Sequence, residues 1–394
     1  MEMTRTIKLY DADAYQTEFD AVVLSCEEVQ DEKLCEEAVY AVVLDQTVFF
    51  PEEGGQTPDK GYMNGIEVID VQIKGNVITH FLRKPVQQGD RVHGKIDWQH
   101  RFFNMQQHSA EHIFSGTAYR KYGYSNVGFH LSNQIVTMDF DGTFTPEQLQ
   151  EMEWEVNKAI VANVEIKTGY PEKAVLGNLE YRSKLALLED IRIVEVDGYD
   201  VCACCAPHVH RTGEIGMFKI QSAQSYKGGV RISFLAGFRA LEEYRRKAEI
   251  ISELSGILTT NQENLAEHVA KLKNQVYSLK NELSNTKQTL MEMKISEIPE
   301  EQKDVILFEQ DLEAADMRTV VNKLMEVHEG LCGIFVGSDV EGYNFIIGSK
   351  TINCCDIATL LRTELNARGG GKPQMIQGSL VANQAEIQKV LTNK

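Results

Sequence analysis

The sequence lacks any run of about 18 apolar residues, so no part of it reads as a membrane-spanning helix. Its first residues, MEMTRTIKLYDADAYQTEF, carry acidic side chains and lack the continuous apolar stretch of a secretory signal. We therefore expect a cytoplasmic protein without a membrane partner.

Positive charge is also scarce. The chain has 40 Lys and Arg residues against 58 Asp and Glu residues, which gives a formal net charge of −18. Such a charge repels polyanions at long range and argues against non-specific binding of nucleic acid. A specific contact through a local basic group remains compatible with it. Two such groups are the run at 245–247 and the pair Arg368 and Lys372, which flank three glycines.

Disulfide bonds are not expected, although the chain contains eight cysteines. The sequence is long and shows no secretion signal, and two of the cysteine pairs are adjacent in the chain, which makes them poor disulfide partners. Reduced thiols, some of them metal ligands, are the better interpretation. The cysteines are Cys26, Cys35, Cys202, Cys204, Cys205, Cys332, Cys354 and Cys355.

The chain of 394 residues is too long for one ordinary core, and its sequence pattern changes along its length. Residues 1–95 contain short β-branched and aromatic runs broken by Gly and Pro, which predicts a β-barrel-like domain. Residues 96–240 mix strands with helices that begin near Asp97 and at Thr145-Pro146, and a short helix is predicted near 185–190. Residues 301–394 alternate strands and helices, which predicts a small α/β domain.

Residues 241–300 carry a narrow apolar seam in which spacings of three and four residues alternate over about five heptads. This predicts a coiled-coil helical linker, or a helical hairpin, that ends at Pro299. The seam could pair between two subunits of a homodimer or fold back as a spacer. It consists of Val269, Leu272, Val276, Leu279, Leu283, Thr286, Leu290 and Met293, extended toward the N-terminus by Leu258 and Leu265. The expected fold class is thus α+β, in four parts.

Two histidines stand four residues apart in MQQHSAEHIFSG, so His108 and His112 project from one helix face and could reach one ion. About ninety residues later, CACCAPHVH offers Cys204 and His208 in a C-x3-H spacing. Three imidazoles and one thiolate are a donor set that zinc accepts in tetrahedral geometry. Taken singly, each histidine would be read as a core or surface residue. Cys202, Cys205 and His210 compete for the same role.

The H-x3-H helix and a C-x3-H loop that leads into T-x-E-I-G together resemble the signature of the alanyl-tRNA synthetase editing domain. The free-standing AlaX trans-editing proteins share this signature. Four further stretches are similar to family segments and occur in the same order, so the resemblance covers nearly the whole chain and matches the long AlaX form. They are TVFFPEEGGQTPDKG (47–61), IDWQHRFFNMQQHSAEHIFSG (96–116), KGGVRISFLAG (227–237) and GGGKPQMIQGS (369–379).

The resemblance implies a zinc-dependent hydrolase that cleaves the aminoacyl ester on the 3′-terminal adenosine of tRNA. The expected substrate is tRNA(Ala) wrongly charged with serine or glycine. Zn²⁺ would be held by the two helical histidines, Cys204 and His208. It could activate water or instead anchor the amino group or ribose hydroxyl of the substrate.

The resemblance also assigns expected roles near the pocket. Thr47 and Gln56 look similar to polar family residues there and are expected to serve catalysis, Thr47 by hydrogen-bonding the serine hydroxyl. Gly54 and Gly55 would let the terminal adenosine approach the backbone closely, or form only a tight turn. Arg368 and Lys372 would give the C-terminal domain a second contact with tRNA.

One departure leaves other functions open. The family loop usually reads C-G-G-T-H, whereas residues 204–208 read CCAPH, which stiffens the loop and removes one N–H donor. The ligand positions survive, but the pocket wall changes. The alternatives are a non-catalytic zinc-containing protein that binds tRNA or another partner, and a deacylase with a different aminoacyl-tRNA specificity. A phosphoesterase, suggested by the C-terminal segment, lacks its Asp-His-His motif.

Overall fold

The computed structural model describes residues 5–29, 39–132, 135–183 and 191–393. Cys35 and the helix predicted near 185–190 lie outside these ranges. The chain divides into two compact units, Met1–Ser252 (unit 1) and Glu253–Lys394 (unit 2). Helices and sheets occur in both, which confirms the α+β class. Within the described ranges, no helix combines the length and apolar character needed to cross a membrane.

The N-terminal part of unit 1 is built almost entirely from strands. These elements are β1 (Ile7–Lys8), α1 (Leu9–Ala12), β2 (Glu18–Val29), β3 (Val39–Leu44), β4 (Gln46–Thr47), β5 (Gly61–Met63), β6 (Ile66–Lys74), β7 (Val77–Leu82) and β8 (Arg91–Ile96). Six of them close into an antiparallel barrel in the order β2-β3-β7-β6-β5-β8. Successive side chains of a strand point to opposite faces, so one face of each strand lies inside the barrel. Along β8, the residues of RVHGKI alternate strictly between exposed and buried. Gly94 is required there, because a Cβ would lie 2.1 Å from the ring of Phe19.

A buried ion pair fixes the segment that leaves the barrel after β4. Arg101 and Asp59 have fully buried side chains, and the Arg101 Nε donates to both carboxylate oxygens at 3.0 Å. The same guanidinium donates to the carbonyls of Ala14 (2.9 Å) and Val48 (2.5 Å). Asp59 also accepts from the Phe50 backbone N–H at 2.7 Å. Residues 47–59 are therefore held against the helix that carries Arg101.

The rest of unit 1 packs around that helix. Its elements are α2 (Trp98–Tyr122), β9 (Asn126–Leu131), β10 (Val136–Phe140), α3 (Pro146–Ala162), β11 (Ile166–Gly169), α4 (Lys173–Leu176), β12 (Ile193–Val196), β13 (Asp200–Ala203), a 3-10 helix (Thr212–Ile215), β14 (Phe218–Tyr226), β15 (Gly229–Ala236) and α5 (Gly237–Ile257). The strands form two antiparallel sheets, β14-β15-β10-β9 and β11-β12-β13. The predicted starts of α2 and α3 are confirmed: Asp97 caps α2, and Thr145 with Gln148 forms a capping box on α3.

Helix α2 is buried on every side from residue 104 to residue 118, although many of these residues are polar. Buried polar groups must find hydrogen-bond partners, and here they serve as anchors. The Gln107 side chain bonds both the N–H and the carbonyl of Ala236, and Gln106 donates to the Glu214 carbonyl. The helix ends at Gly123, which adopts the left-handed conformation of a C-cap.

Unit 2 consists of a long helix and an α/β sandwich. Its elements are α6 (Leu265–Ser296), β16 (Val305–Glu309), α7 (Ala314–Val327), β17 (Cys332–Ser338), β18 (Gly342–Gly348), α8 (Cys354–Leu365), β19 (Arg368–Lys372), β20 (Met375–Leu380) and α9 (Gln384–Thr392). The sheet order is β16-β17-β18-β20-β19, with only the first pair parallel. Helix α7 packs on one face of the sheet, and α8 and α9 pack on the other.

The predicted apolar seam lies on α6, where its members are half exposed, from 47% for Val276 to 62% for Leu279. The prediction that Leu258 extends the seam is wrong, because the chain is not helical between Ile257 and Leu265. Thr259 has a positive φ of 50° there, and the polar run TTNQEN supports turns better than helix. Helix α6 ends at Ser296, just before the expected stop at Pro299.

Candidate metal centre

Four side chains from two distant parts of the chain meet inside unit 1. His108 and His112 come from successive turns of α2, whereas Cys204 and His208 come from the loop that follows β13. Their ligand atoms all lie within 4.8 Å of one another, and the three histidines are buried. The structure thus brings together the four candidate ligands predicted from the sequence, although the two histidines of α2 lie about ninety residues before the other two.

The three imidazoles are turned so that the same ring atom points inward. Each Nδ1 is taken by a side-chain oxygen, which fixes the ring and leaves Nε2 free to face the centre. Such outer partners are typical of histidines that bind metals. The partners are Gln56 Oε1 for His108 (2.9 Å), Asp200 Oδ2 for His112 (2.8 Å) and Ser109 Oγ for His208 (3.0 Å).

The spacing around the Cys204 sulfur suits zinc. Its Sγ lies 3.6 Å from the Nε2 of His108 and 3.5 Å from the Nε2 of His208. Tetrahedral zinc with its usual bonds to sulfur and nitrogen sets these ligand atoms about 3.5 Å apart. Burial by itself would raise the pKa of the thiol, but the surrounding histidines hold that pKa well below its usual range. The residues present therefore fit a divalent metal ion with nitrogen and sulfur ligands.

Asp200 and Arg182 support His112 from behind. The carboxylate of Asp200 accepts two bonds of 2.7 Å from the Arg182 guanidinium besides the bond from His112. Burial opposes charge on both partners of His112–Asp200, yet their mutual hydrogen bond raises the pKa of His112 and lowers that of Asp200. Sequence reasoning missed this pair, because nothing in the local pattern links Arg182 to a strand eighteen residues away.

A cavity of about 830 Å³ opens beside this pair rather than beside the ligand atoms. Asp200 and Arg182 line it together with Tyr119, Tyr199 and Asn126, whereas none of the four candidate ligands does. The cavity therefore lies behind the metal centre.

The competing ligands predicted from the sequence take other positions. Cys202 approaches His112 and Asp200 but is absent from the four-residue group, and burial raises the pKa of its thiol to about 11. Cys205 lies against the glycine turn, and its Sγ is 3.5 Å from where a Cβ on Gly54 would be. His210 stacks on Tyr15 with ring centroids 4.0 Å apart.

Thr47 and Gln56, the two residues expected to serve catalysis, are both fully buried. The Thr47 hydroxyl accepts from the Phe49 N–H at 3.0 Å and lies 2.9 Å from the His80 Nε2. His80 uses its Nδ1 on the Val42 carbonyl, so Thr47 donates to His80. Gln56 lies directly on the metal centre: its Oε1 accepts from His108, and its Nε2 is buried with no hydrogen-bond partner among the described residues.

The two glycines before Gln56 form an exposed turn beside the metal centre. Gly54 and Gly55 have φ angles of 64° and 83°, which favour glycine. At Gly55 a Cβ would lie 2.1 Å from the Phe129 carbonyl, so the turn packs closely on β9. The ring of Phe129 in turn contacts the ring of His108. Cys204 is half-buried whereas the three histidines are buried, so the sulfur is the most accessible of the four candidate ligands.

Arg368 and Lys372 lie in unit 2, at the ends of the edge strand β19. The glycine triplet between them is thus part of a strand and not a turn. Both side chains are exposed, and their even spacing places them on one face of the sheet with Gly370 between them.

Comparison with known proteins finds relatives that match nearly the whole chain. The profile of the "Threonyl and Alanyl tRNA synthetase second additional domain" matches residues 191–233, and that of "tRNA synthetases class II (A)" matches residues 2–100. The zebrafish (Danio rerio) protein named "Alanyl-tRNA editing protein Aarsd1" is 27% identical, and the match covers 97% of this chain and 96% of that protein. The rat (Rattus norvegicus) Aarsd1 is 28% identical, with 97% of each chain covered. The chain is thus similar, over nearly its whole length, to the family of proteins named alanyl-tRNA editing proteins.

The family is in turn related to a part of a larger enzyme. The "Alanine--tRNA ligase" of Methanoregula boonei is 33% identical over 95% of this chain, but the match covers only 41% of the ligase. The chain therefore spans about two fifths of that relative. The match to residues 191–233 contains the Cys204–His208 loop, and the match to residues 2–100 contains Thr47 and Gln56.

Proposed function

We propose that this protein hydrolyses the ester bond of mischarged tRNA(Ala), with seryl-tRNA(Ala) as the main substrate and glycyl-tRNA(Ala) as a second. The observation that carries the proposal is the metal centre, where three oriented imidazoles and one thiol meet beside an exposed glycine turn. The relatives named as alanyl-tRNA editing proteins, which match over nearly their whole length, support this substrate class.

We propose zinc as the metal, held by His108, His112, Cys204 and His208. The donor set and the sulfur–nitrogen distances support this choice. Bound zinc supplies a Lewis acid that can polarise an ester oxygen or acidify a water molecule. Asp200 and Ser109 keep two of the rings oriented, so the protein holds the ligand geometry in advance.

Gln56 acts on the substrate from the side of the glycine turn. Its Oε1 is committed to His108, so the amide is fixed and its unpartnered Nε2 can donate to an oxygen that gains charge during ester cleavage. The turn at Gly54 and Gly55 lets the terminal adenosine approach the backbone. Thr47 donates to His80 and keeps acceptor capacity for the hydroxyl of a seryl group, which alanine lacks.

The remaining parts of the chain would bind and position tRNA. We propose four parts: the barrel-like domain at 1–95, the editing domain at 96–240, the helical linker at 241–300 and the tRNA-binding domain at 301–394. Arg368 and Lys372 present two exposed cations on a flat edge strand, which suits phosphate contacts. The half-exposed seam of α6 supports a homodimer, because seven apolar residues at heptad spacing otherwise face solvent.

A panel of charged tRNAs tests the function. We expect the protein to deacylate Ser-tRNA(Ala) and Gly-tRNA(Ala), to leave Ala-tRNA(Ala) largely intact, and to lose activity with a chelator. Elemental analysis should find about one zinc per chain, lost in His108→Ala and Cys204→Ala and kept in Cys205→Ala. Turnover of other mischarged tRNAs alone would indicate a different specificity. Zinc and tRNA binding without turnover on any substrate would make it a binding protein.

A further inference from the structure

Glu53 lies in the glycine turn that leads to Gln56, and its carboxylate has an unused oxygen. Its backbone pairs with that of Gln56 across the glycine turn, with N–H···O distances of 3.3 and 3.1 Å. Glu53 thus lies three residues before the side chain that contacts His108. The thiol of Cys205, the neighbour of the candidate ligand Cys204, lies against the same turn, with its Sγ 3.5 Å from where a Cβ on Gly54 would be, and the Glu53 carboxylate helps to raise its pKa. One oxygen of this carboxylate, Oε2, is buried and has no hydrogen-bond partner within the described ranges.

The surroundings of Glu53 hold further unsatisfied polar groups. The Tyr10 hydroxyl is buried without a partner in the part of the chain that the structure describes, and burial together with the nearby Asp11 and Glu53 carboxylates raises its pKa. Lys8 is near enough to influence Cys205, yet no described Lys or Arg forms an ion pair with Glu53. A buried carboxylate oxygen without a cation or donor is costly, and its presence beside a candidate site indicates a missing cationic ligand.

We propose that Glu53 binds the α-ammonium group of the aminoacyl ester, an inference that rests on the proposed function. Every aminoacyl-tRNA carries this cation next to the scissile bond. The ammonium nitrogen and the ester carbonyl carbon are about 2.5 Å apart. An ammonium held at Oε2 therefore places the ester carbonyl beside the glycine turn, across which Glu53 pairs with Gln56. Cys205 is a positioning residue, since its thiol lies beside the Glu53 carboxylate.

The assignment also gives the unusual loop a role. Residues 204–208 carry Cys205 where the family pattern has glycine, and glycine could not contact the carboxylate. Burial raises the pKa of the Cys205 thiol, so the thiol stays neutral and can act as a donor beside the Glu53 carboxylate.

The test compares a substrate with an ammonium group to one without. Seryl-tRNA(Ala) and glyceryl-tRNA(Ala), in which a hydroxyl replaces the α-ammonium, are assayed with the full-length protein and with Glu53→Gln. A charged hydrogen bond at a buried site predicts a loss of about 10- to 100-fold in kcat/KM for seryl-tRNA. The glyceryl substrate should change by less than about threefold, since it never engages the charge. Equal loss on both substrates, or no loss on either, would overturn the proposal.

Binding separates this inference from the proposed function. The probes are seryl and glyceryl adenosine analogues with an amide in place of the ester, which bind without being hydrolysed. Wild type should prefer the ammonium-bearing analogue by about 10- to 100-fold, and Glu53→Gln should show no preference. The preference would hold even if no tRNA were deacylated. A wild type that binds both analogues equally would refute the role of Glu53, whatever its activity.

Matched variants exclude indirect effects. Glu27→Gln removes an exposed charge on the barrel surface and should leave both preferences unchanged. Glu53→Gln should keep full zinc content, because Glu53 is not a ligand. Cys205→Ala should lower the seryl preference, and Cys205→Ser, which restores a donor, should recover it. A Cys205→Ser variant as weak as Cys205→Ala would show that the thiol acts by packing alone.

Discussion

The ion pair between Arg101 and Asp59 gives the sharpest prediction about stability. Arg101→Met keeps most of the side-chain volume but leaves the Asp59 carboxylate buried without its cation. The carbonyls of Ala14 and Val48 also lose their donor. Removing one partner of a buried pair costs about 3–5 kcal/mol, and both side chains here are 0% exposed. We therefore expect unit 1 to lose about that much free energy of unfolding.

Tryptophan fluorescence in a urea titration measures this loss. The chain has two tryptophans, Trp98 and Trp154, and both lie in unit 1, so the signal reports that unit separately from unit 2. Arg83→Met is the control, because Arg83 and Glu67 form a pair whose side chains are 48% and 53% exposed. It should cost at most about 1 kcal/mol. If Arg101→Met is no more destabilising than Arg83→Met, the buried ion pair does not hold residues 47–59 in place.

Three further predictions concern the metal centre and its surroundings. Asp200→Asn should weaken zinc binding about 10- to 100-fold in a chelator competition, whereas Asp139→Asn should not. Burial lowers the pKa of His80 to about 4. As pH falls below about 6.5, His80 therefore becomes protonated in the unfolded chain but stays neutral in the folded chain. Stability should thus drop by about 2 kcal/mol between pH 7 and pH 5 through His80 alone, and the urea-derived slope should flatten in His80→Gln. Gly65 has a φ of 77° and open space around it, so Gly65→Ala should lower the free energy of unfolding by about 1–2 kcal/mol. Gly55→Ala adds a clash with the Phe129 carbonyl and should lower it clearly more. Equal losses would contradict the close packing of this turn.

The sequence predicted that four candidate ligands lie together, because each half of the cluster is recognisable by residue type and spacing. His108 and His112 are one helical turn apart, and Cys204 and His208 share one loop, so both half-sites are visible locally. The caps of α2 and α3 were equally local. A side chain whose partner lies far along the chain gives no such signal. Arg101, which meets Asp59 after 42 residues, could not be recognised as a buried ion pair before the fold was known.

The helical linker shows the opposite limit. Heptad spacing predicted the long helix α6. It also predicted that Leu258 belongs to the seam, but Leu258 lies in the non-helical segment before α6. Periodicity counts apolar positions and does not weigh the polar turn residues between them, and Thr259 adopts a left-handed conformation there. Glu53 was likewise overlooked, because a glutamate in a turn looks like a solvated residue until the thiol of Cys205 is seen beside it.

The distance along the chain between the two half-sites has a consequence for biosynthesis. His108 and His112 leave the ribosome about ninety residues ahead of Cys204, so a nascent chain holds only two of the four donors while those ninety residues are made. Two donors retain an ion poorly. Capture of the proposed metal would then wait until β13 has delivered the second loop, so a loaded ion would mark a chain whose two half-sites have already met.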